Sequence, residues 1–155
     1  MNPEEVLSGR GTQLHGGRFA RVGTRAVHLA DSDRAASNEV LARKKRLGDQ
    51  AQITLDKYPR IVFGVDVSLQ RVVGWLRKPR STRLQNIREA CLLEGELDVS
   101  MEVGAQLERL GIEGLLFPSV TGIGRNLIVY LDNCNPSVLK LRNIEELKKK
   151  IAEFQ

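Results

Sequence analysis

Between Gly11 and Val40 the chain reads GTQLHGGRFARVGTRAVHLADSDRAASNEV, a glycine- and arginine-bearing segment ahead of a short apolar run and one acid, Glu39. Gly16 and Gly17 let the backbone approach an anion closely, and the guanidinium fork of Arg18 can hold two phosphate oxygens at once. Glu39 is bordered by Ala35, Ala36 and Val40. A carboxylate at that border could stabilise an electron-poor sugar carbon or bind ribose hydroxyls. A solvated basic loop ahead of an ordinary helix would look the same. No GK[ST] follows the glycines, and they precede a strand instead of joining a strand to a helix, so neither the P-loop nor the Rossmann fingerprint applies.

Two more residues have useful chemistry in useful places. His28 lies inside AVHLA, where strand alternation sets it opposite Val27 and Leu29. Its ring could stack on a flat ligand, or simply sit hydrogen-bonded at the edge of a core. Ser119 closes the apolar run in FPSV, and strand ends are where side chains reach a cleft. No GxSxG surrounds it and no histidine–acid pair accompanies it, which argues against a serine hydrolase and leaves a turn serine as the plainer reading.

Other chemistries find little support. His15 and His28 are the two histidines, there is no HExxH, and no metal site is expected. Cys91 and Cys134 stand far apart without close companions, so free, mostly buried thiols are expected. Twenty-four Lys and Arg against nineteen Asp and Glu give a net charge of +5, compatible with nucleic acid, a phosphorylated small molecule or an acidic protein. Arg10, Arg18, Arg21 and Arg25 crowd the opening segment and Lys148–Lys150 the tail. Aromatics make up only 5% of the chain, which leaves few rings on which bases could stack. No apolar run is long enough for a bilayer and no leader is evident, so a cytoplasmic protein without membrane contact is expected.

The elements that must position these residues follow from periodicity. Residues 1–25 read as a Gly/Arg-rich loop, AVHLA as a buried strand, and Asp31 or Ser32 as N-cap of a helix that runs until Gly48. AQITL (51–55), RIVFGVDV (60–67) and RVVGWL (71–76) read as strands, the last two as a pair. Residues 81–110 read as helical, with Leu84, Ile87, Cys91 and Leu92 on one face and a glycine cap at the end. IEGLLFPSV (112–120) and NLIVYL (126–131) are strands separated by TGIG. The tail, 143–155, is an amphipathic helix striped by Ile144, Leu147, Ile151 and Phe154, a stripe that could serve the core or a homo-oligomer. Strands and helices mix without regular βαβ alternation, and 155 residues suit a single α+β domain.

Taken in order, LHGGRFARVGTRAVHLADSDRAASNEV and GLLFPSVTGIGRNLIVYL resemble the RES domain family: Gly-Gly-Arg-aromatic, a strand carrying a ring, a helix with Glu, and a late Pro-Ser before a strand that opens with Asn. The resemblance implies a compact fold related to ADP-ribosyltransferases, with mixed or antiparallel sheets flanked by helices. It implies a toxin that cleaves the nicotinamide–ribose bond of NAD, by hydrolysis, phosphorolysis or ADP-ribose transfer. It also implies an Xre-type helix-turn-helix antitoxin as partner, through which alone nucleic acid would be reached. Matched residue by residue, Arg18, with Gly17 beside it, would hold the pyrophosphate. Glu39 would stabilise the oxocarbenium-like ribose, and Ser119 and His28 would lie around nicotinamide. His28 stands where the family commonly has tyrosine, and Ala20 where it usually has asparagine. Members usually open with an arginine-bearing strand before the loop, which is expected to be missing here. A catalytically reduced RES-like module that binds an acidic protein or nucleic acid is the alternative.

Overall fold

The computed structural model describes residues 5–47 and 60–153 of the chain. Its centre is a four-stranded sheet in the order β1-β5-β4-β3, built from β1 (Ala26–Ala30), β3 (Val72–Gly74), β4 (Gly114–Pro118) and β5 (Arg125–Tyr130). β5 pairs antiparallel with β1 on one side and β4 on the other, while β3 runs parallel to β4. A separate two-stranded sheet joins β2 (Val65–Val67) to β6 (Leu139–Leu141). Helices α1 (Arg10–His15), α2 (Asp33–Leu47), α3 (Thr82–Glu89), α4 (Leu97–Arg109) and α5 (Ile144–Ala152) flank the sheets, and a π-helical turn, Ala90–Glu94, follows α3. This is the expected α+β architecture with a mixed sheet. Among the described residues, no helix is long and apolar enough to cross a membrane.

Registers place His28, Ile128, Leu115 and Val73 side by side, so one face of the sheet carries these with Ala26, Asn126, Phe117 and Tyr130. That face makes the core. Phe19, Ala20, Ala26, Cys91, Leu92, Leu115, Phe117, Ile128 and Tyr130 form one buried cluster, with Trp75, Val99, Val103 and Leu107 packed against it. Burying a ring as completely as that of Phe19 contributes about 2–3 kcal/mol. Cys91 and Cys134 are free, as expected, and burial pushes both thiols up.

Several expectations are corrected. The 1–25 segment holds a helix, α1, which its glycine-rich sequence hides because it buries no residue and has no apolar period. RIVFGVDV and RVVGWL do not pair with each other. Only Val65–Val67 of the first is strand, matched to a three-residue partner in β6, while Val72–Gly74 turns to β4. The Glu113 carboxylate explains the second choice: it accepts the backbone N–H groups of Gln70 (2.5 Å) and Arg71 (3.0 Å) and so pins the entry of β3 beside β4. Those backbone bonds, first from Arg71 and then from Gln70, hold the Glu113 carboxyl below its ordinary range. Leu84 is exposed, so the buried face of the middle helices runs through Ile87, Cys91 and Leu92. In the tail, Leu147 and Ile151 are buried and Ile144 is 38% exposed. The expected AQITL strand, the Gly48 helix stop and Phe154 lie outside the described residues.

Candidate active site

Arg18 sits on a tight turn. Gly17 N–H donates to the Ala20 carbonyl (2.9 Å) and Ala20 N–H to the Gly17 carbonyl (3.1 Å), closing Gly17–Ala20 into a β-turn. Phe19, its third residue, has φ 60°, a left-handed conformation that a phenylalanine adopts only when its surroundings hold it there. Those surroundings are visible. The ring is fully buried, edge-on to Phe117 and Trp75. Gly104 of α4 lies so close that a Cβ there would come within 1.9 Å of the Phe19 carbonyl oxygen. The same oxygen accepts the buried Tyr130 hydroxyl at 3.0 Å. Burial, and to a lesser degree the Glu108 carboxylate, push the Tyr130 phenol up, so it remains a donor. Tyr130→Phe should therefore cost about 1–3 kcal/mol in urea unfolding, because it strands a buried carbonyl. An unchanged midpoint would show that the turn does not depend on this bond.

His28, an exposed residue of β1, reaches the same turn: its Nε2–H donates to the Arg18 carbonyl at 3.0 Å. Gly17 faces the imidazole, where an added Cβ would stand 3.5 Å from Cε1. The ring is thus committed at one nitrogen to holding the turn that presents the Arg18 side chain.

Glu39 and Ser119 meet, although 80 residues separate them. Ser32 caps α2, its Oγ accepting the Ala35 N–H at 3.1 Å, which fixes the start of the helix. Ala35 is fully buried against the loop after β4, and one helical turn on, Glu39 projects from the same face of α2. The loop is drawn in by Gly124, at φ 78° and within 2.7 Å of Ala35 Cβ for an added side chain, and by the Arg125–Asp31 ion pair at 2.9 Å. That pairing holds the Asp31 carboxyl below its usual range, chiefly through the guanidinium hydrogen bond. Ser119 Oγ donates to Glu39 Oε1 at 2.5 Å. It also accepts the Thr121 N–H at 3.1 Å and contacts Thr121 Oγ1 at 2.7 Å, so its single proton is directed at the carboxylate.

Asn126, the second residue of β5, completes the group. Its Nδ2 donates to the same Glu39 Oε1 at 2.7 Å. In the sequence this asparagine is a strand opener with no site signal; only the register shows that it faces the same way as His28. His28 opposes Ile128, two residues along β5, so His28 and Asn126 are diagonal neighbours about 7 Å apart. The five residues singled out from sequence therefore form two hydrogen-bonded groups on one sheet face: Gly17, Arg18 and His28 in one, Glu39 and Ser119 in the other. A fixed carboxylate on the same sheet face as a turn that carries an arginine suits an anionic ligand with an electron-poor carbon. Among the described residues, no group of three or more His, Cys, Asp or Glu side chains could hold a metal.

A family model described as the RES domain matches residues 3–149. Comparison with curated proteins finds no match. Among solved structures, the chain is similar to a chain of the M. tuberculosis MbcT–MbcA toxin–antitoxin complex. The two share 24% identity at a TM-score of 0.70, covering 92% of this chain and 82% of that one.

Proposed function

This chain belongs to the RES domain family, and from that premise we propose that it is a RES-type toxin that cleaves the nicotinamide–ribose bond of NAD and is neutralised by an antitoxin. The observation that supports this most is the Glu39 carboxylate, held at one oxygen by Ser119 and Asn126 on the sheet face that also carries the Arg18 turn. Arg18 binds the pyrophosphate, where a guanidinium fork matches paired oxygens. As the bond from ribose C1′ to the pyridinium nitrogen breaks, its electron pair goes to that nitrogen and neutralises it. Positive charge then spreads over C1′ and the ring oxygen. A preoriented carboxylate stabilises that charge without having to reorganise, the electrostatic logic also used by glycosidases. Ser119 holds the carboxylate in place, and the exposed His28 borders the nicotinamide end. Water, phosphate or a protein nucleophile can complete the reaction, since all three share this cleavage step.

The family's partner class is an Xre-type helix-turn-helix antitoxin, which would act by covering the cleft, with both proteins in the cytoplasm. The decisive measurement incubates the purified protein with NAD, with and without inorganic phosphate, and identifies the products by mass. Free nicotinamide with ADP-ribose indicates hydrolysis, and ADP-ribose 1″-phosphate indicates phosphorolysis. Nicotinamide release that depends on an added protein acceptor indicates transfer. No nicotinamide under any of these conditions, with salt-sensitive binding to polyanions instead, would replace the enzyme with a binding module.

A further inference from the structure

Glu39 is held asymmetrically, and the geometry points to Asn126 as the positioning residue that decides which carboxylate oxygen works. This inference rests on the reading of Glu39 as the group that meets the ribose. Both donors converge on Oε1: Ser119 Oγ at 2.5 Å and Asn126 Nδ2 at 2.7 Å. With both donors on Oε1, Oε2 is assigned to the ligand. The two donors differ in how they are anchored. Ser119 lies in the loop after β4 and takes its orientation from Thr121 of the same loop. Asn126 is only 9% exposed and belongs to β5, an inner strand of the sheet, where it opposes Ala30 of β1 and Phe117 of β4. A carboxamide on an inner strand sets the carboxylate plane relative to the sheet, whereas the serine closes the contact from the loop. In this assignment Asn126 acts through Glu39, the group its Nδ2 contacts.

Two substitutions separate this role from simple filling of space. Asn126→Ala removes the donor, and Asn126→Asp keeps the shape but replaces the donor with an acceptor facing another carboxylate. A hydrogen bond to a charged group is lost in both, so nicotinamide release should fall about 10- to 100-fold in kcat with KM for NAD little changed. The aspartate variant should lose at least as much as the alanine variant. An aspartate variant that turns over like the parent would show that only volume matters at 126 and would overturn the assignment.

Thermal unfolding without substrate provides the second arm, comparing Asn126→Ala, Glu39→Ala and the double variant. The double variant is expected to be destabilised by less than the sum of the two single variants, because either substitution alone already breaks the shared bond. Strict additivity overturns the proposal. Should the parent protein release no nicotinamide at all, the enzymatic reading falls, and the unfolding cycle still decides whether Asn126 holds Glu39.

Discussion

Glu39→Gln is expected to lower nicotinamide release by about 10³-fold while leaving the fold and the KM for NAD nearly unchanged. Glutamine keeps the size of the side chain, and its carbonyl oxygen can still accept from Ser119 Oγ and Asn126 Nδ2, which now meet Glu39 Oε1 at 2.5 and 2.7 Å. What disappears is the negative charge. If the carboxylate only anchors the loop after β4 to α2, glutamine does that as well and the variant remains active. If it stabilises a developing ribose cation, the loss falls on kcat, because the charge on the sugar exists only in the transition state. A variant with parental turnover would refute the assigned role of Glu39. Steady-state kinetics with a nicotinamide readout, beside a urea melt, makes the comparison.

The second large effect lies outside the two groups of site residues. Gly104→Ala should destabilise the protein by about 3 kcal/mol or more and cost about 100-fold in kcat/KM. An alanine Cβ would stand 1.9 Å from the Phe19 carbonyl oxygen, 2.4 Å from its carbonyl carbon and 2.8 Å from its Cα. All three are backbone atoms, so no side chain can swing aside. Either α4 lifts off the sheet or the Gly17–Ala20 turn moves outward, and the second route carries Arg18 with it. Gly95→Ala provides the contrast: its φ is 68° but nothing lies within 4 Å of the added Cβ. It should cost about 1 kcal/mol of backbone strain and leave turnover intact. Equal behaviour of the two alanine variants, in urea midpoint and in turnover, would contradict this account.

The legible parts of the molecule are those written in local sequence. Gly17-Arg18 and Ser119 carry residue-type signals, and Ser32 starts α2 as its hydroxyl chemistry predicts. Glu39 became visible because Ala35, Ala36 and Val40 placed it at the border of a buried face. Partner choice was not legible. Val72–Gly74 joins β4 rather than its sequence neighbour because Glu113, some forty residues away, takes two backbone N–H groups that would otherwise need other partners. Phe19 was equally opaque: nothing in GGRFAR announces a phenylalanine at φ 60°, since the surroundings that hold it come from α4 and β5. Gly104 reads in sequence as a weak position in a helix. Only the approach of another backbone explains it.

The sheet order has a consequence in time. β1, which carries His28 and leads to α2 and Glu39, finds its hydrogen-bonding partner in β5, about a hundred residues later in the chain. A polypeptide still emerging from the ribosome owns Arg18, His28 and Glu39 some eighty residues before it gains Ser119, Asn126 and the strand on which β1 rests. Such nonlocal pairing cannot form before residue 130 has been made and released from the exit tunnel. The Glu39, Ser119 and Asn126 group therefore cannot assemble until β5 has been made and released, however early α2 folds.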